Sequence, residues 1–287
     1  MTVTMRQRKV QCLSPAGFHD MAYVEWGDPQ NRKVLICVHG LTRCSRDFDY
    51  LAQAMEWDYR VVCPDIVGRG RSDWLANKAL YGVPQYAADI VTLLARLDAD
   101  EVDWVGTSMG GLIGMALAAQ ARTPIRRLLL VDVGPVVTAA SIARISEYVG
   151  KAPRFDSIEQ VEAYVRVVAA PFGPLTDSQW RHLTEHSLKP AADGKFDLHY
   201  DPGIAEPFRT AMGEGKDYEI WQIYDLIRCP TRVLRGETSD VLTAETAREM
   251  SSRGPRPKVV EIPGVGHAPM LMDDSQIGRV REFLLAE

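Results

Sequence analysis

Ser108 lies in Gly106-Thr107-Ser108-Met109-Gly110, a G-x-S-x-G pentapeptide. A serine hydroxyl is a weak nucleophile until a base takes its proton, and the base needs a third group to hold its tautomer. Two loops far downstream supply candidates. His267 sits in the glycine-flanked run Pro263-Gly264-Val265-Gly266-His267-Ala268-Pro269, and Asp240 ends Arg235-Gly236-Glu237-Thr238-Ser239-Asp240. With Ser108 as nucleophile, His267 as base and Asp240 as orienting acid, the chemistry would be acyl transfer through a covalent intermediate. Asp132, near another strand end, and Glu237 compete with Asp240 for the acid; Asp240 is preferred. Of the other histidines, His39 reads as a structural residue bracing neighbouring loops, and His182, His186 and His199 fall in a middle segment of different character. His19 is expected in solvent.

Acyl chemistry also needs N–H donors for the oxyanion, one after the nucleophile and one from an early strand-to-helix loop. These are Met109 and Leu41, both acting through the backbone; Leu41 directly follows His39-Gly40. Thr42 offers either a hydroxyl to the site or a helix N-cap. Arg43 is a candidate substrate contact able to hold a carboxylate with two parallel bonds, although an ion pair with Asp47 or Asp49 is the stronger reading. Asp65 is read as a brace for the Gly68–Ser72 loop, whose two arginines follow no phosphate-cradle pattern.

These residues must be held by strand ends. Val102, Trp104 and Val105 form a short apolar strand before Ser108, and Leu112 to Leu117 continue as a helix. Val10 to Leu13 and Met21 to Trp26 are early strands. The buried-type runs Lys33 to Val38, Arg60 to Cys63, Arg127 to Val133, Thr231 to Leu234 and Lys258 to Ile262 follow. Helices are expected at Phe48–Met55, Pro84–Leu97, Thr243–Ser251 and Asp273–Leu285. Such alternation predicts a parallel sheet covered on both faces, with the working residues at the carboxyl ends of its strands. Between Val136 and Tyr224 strand-like runs disappear. Helical candidates appear at Ala139–Tyr148, Ser157–Val168 and Asp177–His186, and Gly194 to Pro207 looks irregular. The division expected is therefore an α/β core from 1–135 and 225–287, with a helical lid inserted at 136–224. The lid aromatics Tyr148, Phe155, Tyr164, Phe172 and Trp180 are expected chiefly to pack the lid onto its domain; those that face the pocket would favour an apolar acyl or alcohol group.

The 287 residues are 46% hydrophobic and 25% charged, ordinary for a globular chain with a sizeable core. A formal net charge of −5 gives no argument for nucleic acid or an anionic membrane as partner. The five cysteines follow no metal spacing, and Cys37 and Cys63 lie in apolar strands, which points to a reducing compartment. Met1 to Val10 carries Arg6, Arg8 and Lys9 with no apolar run after them, so a secretory signal is not expected. No run approaches bilayer-spanning length, and the cytoplasm is the expected location.

Together His39-Gly40-Leu41, Asp65 through Ser72, Gly106 through Gly111, Gly236 through Asp240 and Gly264 through Pro269 resemble the α/β-hydrolase family in its lid-bearing serine esterase branch. The order serine, acid, histidine matches that family. The resemblance implies an eight-stranded, mostly parallel sheet with an antiparallel second strand, a helical cap, and ester hydrolysis without metal or organic cofactor. Serine at the nucleophile position argues against dehalogenase or epoxide hydrolase chemistry. Leu198-His199-Tyr200-Asp201-Pro202 is similar to bacterial hydrolases of hydroxyalkanoate oligomers or polyesters. The expected substrate is a small-molecule or oligomeric ester with small to medium apolar or hydroxyacyl groups. The alternatives are an acyltransferase, a perhydrolase or a C–C hydrolase using the same residues, or a signalling protein that binds a ligand and retains them.

Overall fold

The computed structural model describes residues 5–207 and 215–286. Eight strands build its central sheet. They are β1 (Arg6–Ser14), β2 (Gly17–Trp26), β3 (Val34–Val38), β4 (Arg60–Pro64), β5 (Val102–Thr107), β6 (Ile125–Val131), β7 (Thr231–Gly236) and β8 (Lys258–Ile262). Their spatial order is β1-β2-β4-β3-β5-β6-β7-β8. The second strand runs antiparallel to both its neighbours, and all pairs from β4 to β8 are parallel.

The parallel strands are apolar on both sides, and alternate residues feed two separate cores. Val34, Ile36, Val38, Trp104 and Leu130 pack with Ile90 and Leu93 of helix α1 (Val83–Leu97) and Ile113 of α2 (Met109–Ala118). Leu35, Cys37, Val105 and Val131 face the opposite way, onto Leu51, Met55 and the C-terminal helix Asp274–Leu284 through Val280 and Phe283. This period of two inside a doubly covered sheet makes the strands read as continuous apolar runs. The buried thiols of Cys37 and Cys63 belong to the second core, and all five cysteines are free.

The insertion between β6 and β7 corrects the expectation of a strandless segment. Val136–Val137 pairs with Tyr218–Glu219, and Phe196–Leu198 lies between Arg154–Phe155 and Leu188–Pro190 in a three-stranded sheet. Part of the run read as irregular, Gly194 to Pro207, is thus ordered by pairing. These strands hold two or three residues each, too short to show an alternating pattern in sequence. The helices Ala139–Ser146, Ile158–Val168 and Asp177–Ser187 form as expected, each behind a Thr or Ser whose hydroxyl accepts an N–H of the first turn. Residues 208–214 of the expected insertion, and residues 1–4 and 287 of the expected core, lie outside the described residues. The insertion is tied to the core by backbone bonds: Gly70 N–H to His199 O (2.9 Å), Asp201 N–H to Gly68 O (2.7 Å) and Gly266 N–H to Pro171 O (2.7 Å).

Sheet order decides which loops meet. Val38 stands beside Gly106, Thr107 beside Val131, Val131 beside Leu234, and Gly236 beside Ile262. The chain segments that begin at His39, Ser108, Asp132 and Glu237, and the one that leads to His267, all leave the same carboxyl edge.

Candidate active site

Ser108 is the single residue between β5 and α2, at φ 52° and ψ −116°. A positive φ is unfavourable for a residue with a Cβ, so the packing must impose it. Two glycines make that packing possible. A Cβ on Gly106 would fall 2.3 Å from Gly110 O, and one on Gly110 would fall 2.0 Å from Val38 O. Strand, turn and helix are therefore closer than any other residue type would permit.

The structure brings Ser108 and His267 together: Ser108 Oγ is 2.9 Å from His267 Nε2. On the other side of the ring, Nδ1 is 2.7 Å from Oδ2 of Asp132. A carboxylate can only accept, so Nδ1 carries the proton and Nε2 is left to take the serine's. The expected acid, Asp240, does not take this place. Its carboxylate receives Arg144 Nε (2.6 Å) and Nη2 (2.9 Å). Partial burial pushes Asp240 upward, but the guanidinium outweighs it and holds the group below the usual carboxylate range. Glu237 accepts Gly264 N–H at 2.8 Å and is likewise not on the histidine.

The correction has a physical basis. Asp132 follows β6, which adjoins the serine's own strand, and its N–H bonds Leu234 O at 2.8 Å. Its carboxylate is wholly buried and accepts three groups, namely His267 Nδ1, Gly236 N–H (2.8 Å) and Ser239 Oγ–H (2.5 Å). Asp240 lies further along its loop and turns outward. Chain order does not separate the two, since Ser108, Asp132, His267 has the same sequence of roles. The overlooked signal was the apolar company of Asp132, which closes Leu128-Leu129-Leu130-Val131 and precedes Val133. A carboxylate set in such a run will be buried and must find partners.

Beside the serine lies the Gly40–Leu41 turn, where a Cβ on Gly40 would be 3.7 Å from Ser108 Cβ. Met109 is the first residue of α2, so its N–H has no acceptor within the helix. Leu41 and Met109 both line the cavity above Ser108. His39 is buried behind them. Ile66 N–H donates to its Nε2 (3.0 Å), so its Nδ1–H donates to Gly40 O (2.7 Å). Burial depresses its pKa to about 4, which keeps the ring neutral. The bond to Gly40 O polarises the peptide whose N–H belongs to Leu41. Asp65 accepts Ser45 N–H (2.7 Å) and Arg71 N–H (3.0 Å), and fills the space that a Cβ on Gly70 would need.

The cavity measures about 360 Å³ and reaches from Ser108 and His267 to the insertion. Its walls include Tyr148, Tyr164 and Phe172, while Phe155 and Trp180 are buried in the core. Three of the five insertion aromatics therefore face the cavity, against the expectation that most would only pack. Arg43 also lines it, with Nε and Nη2 on Asp47 (2.9 and 2.6 Å) and Nη1 on Ser187 Oγ (2.7 Å). Thr42 lines it too, and the residue preceding the nearby helical turn is Cys44, not Thr42. His182 and His186 meet edge to face, their ring centres 4.6 Å apart, and His182 Nε2 lies on Arg46 O, not on the serine. His19 is buried, not in solvent, with Nε2 on Asp89 Oδ2 at 3.0 Å.

Three of the described acids and histidines gather within ligand reach of one another at Asp49, His182 and His186. Asp49 is already held by Arg46 through two nitrogens, so the group does not read as a cation site. Among the described residues no helix is long and apolar enough to cross a membrane.

Residues 35–280 match the model of the alpha/beta hydrolase family. The chain is 50% identical over 289 aligned residues to a 3-hydroxybutyrate-oligomer hydrolase of Cupriavidus necator, covering 99% of each. Among solved structures it is similar to a putative hydrolase from Rickettsia typhi (TM-score 0.91, 30% identity, 99% of each chain). It is also similar to an alpha/beta hydrolase from Novosphingobium aromaticivorans (TM-score 0.87, 33% identity, 99% of each chain).

Proposed function

The chain belongs to the alpha/beta hydrolase family, and from that premise we propose that it is a serine esterase that cleaves oligomeric hydroxyacyl esters through an acyl-enzyme. One observation carries the reading: a single imidazole, His267, stands between a strained serine and a buried carboxylate, 2.9 Å from one and 2.7 Å from the other.

In the proposed cycle Ser108 Oγ adds to the ester carbonyl carbon while its proton passes to His267 Nε2. Asp132 stabilises the imidazolium that forms and keeps its orientation. The carbonyl oxygen, now anionic, is received by the N–H groups of Leu41 and Met109. The tetrahedral species collapses, the C–O bond to the alcohol breaks, and His267 returns the proton to the leaving oxygen. Water then repeats the sequence on the acyl-enzyme, releasing acid and serine.

The substrate class rests on two supports. The relative from Cupriavidus necator, 50% identical along the whole chain, is a hydrolase of 3-hydroxybutyrate oligomers. The cavity joins apolar walls, among them Leu112, Val133 and Phe172, to the guanidiniums of Arg43 and Arg144. An oligomer of short hydroxyacids has small apolar units and a free carboxylate at one end. Arg144 meets Asp240 through Nε and Nη2, whereas Arg43 is held on three atoms by Asp47 and Ser187, so Arg144 is the less encumbered of the two guanidiniums to meet that carboxylate. The insertion at 136–224 acts as the lid of this pocket, since Tyr148 and Tyr164 come from it.

Burst kinetics test the reading, on p-nitrophenyl esters from acetate to octanoate and on the 3-hydroxybutyrate dimer and trimer. The wild type should release one equivalent of nitrophenol rapidly and then turn over. Ser108→Ala should lose both phases, with kcat down by about 10⁴-fold or more. Equal rates in the two proteins would remove Ser108 from the chemistry. Product analysis in the presence of an added alcohol separates hydrolysis from acyl transfer.

A further inference from the structure

Arg69 is 0% exposed and is among the largest side chains completely buried in the molecule. A guanidinium cannot shed its proton in a protein. A buried charge is costly unless paired, and such charges are normally met by a carboxylate. Among the described residues none forms an ion pair with Arg69. Its bonds run to neutral groups: Nε to Leu41 O (2.8 Å), Nη1 to Val67 O (2.8 Å) and Tyr86 Oη (2.9 Å), and Nη2 to Met109 Sδ (3.6 Å). The rings of Tyr86 and Tyr81 lie 5.0 and 5.7 Å from its central carbon, a softer compensation than an anion.

Two of these partners, Leu41 and Met109, are the residues whose N–H groups receive the oxyanion in the proposed cycle. The guanidinium grips the backbone of Leu41 and the side chain of Met109 at once, from behind the cavity wall. The neighbouring buried ring cannot supply a second charge, because burial keeps His39 neutral and Arg69 itself adds to that depression. The other charges at the site have partners of their own: the Arg43 guanidinium is paired with Asp47, and the Asp132 carboxylate is taken up by His267, Gly236 and Ser239, whereas among the described residues no carboxylate contacts Arg69. A local negative charge arises when the carbonyl π pair moves onto oxygen as Ser108 adds.

We propose that Arg69 is a positioning residue of the oxyanion site: it locks Leu41 and Met109 at their separation, and its buried charge, which no carboxylate among the described residues contacts, favours the tetrahedral oxyanion. The inference rests on Ser108 being the nucleophile. It would explain why an unpaired charge is kept where an apolar side chain would be less costly, since a preorganised charge in a dry site acts on the transition state and not on the neutral ester.

Butylboronic acid, whose adduct with a serine is a tetrahedral anion, provides the test beside the neutral ester. Arg69→Met removes the charge at similar length; Arg69→Lys keeps the charge and loses the multi-point grip. Arg69→Met should lower kcat by about 10² and weaken boronate inhibition by a similar factor, with KM within about threefold of wild type. Arg69→Lys should recover about tenfold of each. Parallel losses in KM and boronate affinity, an unchanged kcat, or a lysine variant no better than the methionine variant would overturn the proposal. Should Arg69→Met not fold, Arg69→Lys decides alone: a lower kcat at constant KM supports the role, and a wild-type kcat or a matching rise in KM refutes it. Boronate binding to Ser108→Ala is a separate control on the nucleophile, and its persistence would count against the serine reading instead.

Discussion

Two aspartates leave adjacent strands of one sheet, and they end in opposite environments. Asp132, after β6, has no exposed side-chain surface and accepts three bonds, one of them from His267. Asp240, after β7, is 44% exposed and serves Arg144. The same functional group is thus a buried partner of an imidazole in one loop and half of an exposed ion pair in the next. On the proposed mechanism burial would make the first hard to replace, because removing its charge would leave the imidazolium uncompensated in a medium of low dielectric. Water and salt screen the second, whose worth is expected to be below about 1 kcal/mol.

The comparison breaks or sharpens in order of effect. Asp132→Asn should lower kcat by about 10³ to 10⁴ with little change in KM, because an amide can donate to Nδ1 and favours the wrong tautomer. If Asp240→Asn produced that loss and Asp132→Asn did not, the assignment would be reversed. Ser239→Ala takes one bond from the Asp132 carboxylate and should cost about tenfold in kcat, read from the same kinetics. Its effect should vanish in the Asp132→Asn background if the hydroxyl acts only through Asp132.

A pH effect comes next. His39 has a folded pKa of about 4 against 6.5 for the free side chain, so the unfolded chain binds the extra proton first. Its contribution is complete above pH 6.5 and is lost as pH falls toward 4, on the order of 3 kcal/mol for the full interval. Denaturant unfolding from pH 7 to 4 should show that decline, and His39→Gln should flatten part of it. The depressed His186, pushed to about 3 mainly by burial, adds a second decline of the same sign. The smallest effect is that of Asp240→Asn, with kcat within about threefold and stability within about 1 kcal/mol of wild type. A larger fall in Tm would mean that the pair with Arg144 pins the insertion more firmly than an exposed ion pair should.

Much of this was legible in the linear chain. The parallel core strands were evident because a sheet buried on both faces has no polar side to interrupt its apolar runs. Ser108 was evident because Gly106 and Gly110 must make room for Gly110 O and Val38 O, and that demand leaves a visible pair of glycines. The short strands of the insertion left no trace, since Arg154–Phe155 and Phe196–Leu198 hold two or three residues and owe their form to each other. The place of His19 was misread because its partner, Asp89, is supplied by a distant helix.

The sequence by itself determined the alternation of strand and helix, the strained serine turn, and the glycine-framed loop of His267. Each depends on nearest neighbours along the chain: side-chain period, steric room, and turn chemistry. Only the tertiary structure decided which acid reaches the imidazole, which insertion aromatics face the cavity, and that Arg69 grips both Leu41 and Met109. Those choices depend on the order of strands in the sheet and on which groups are shut away from water, quantities that arise only when residues far apart in the chain are packed together.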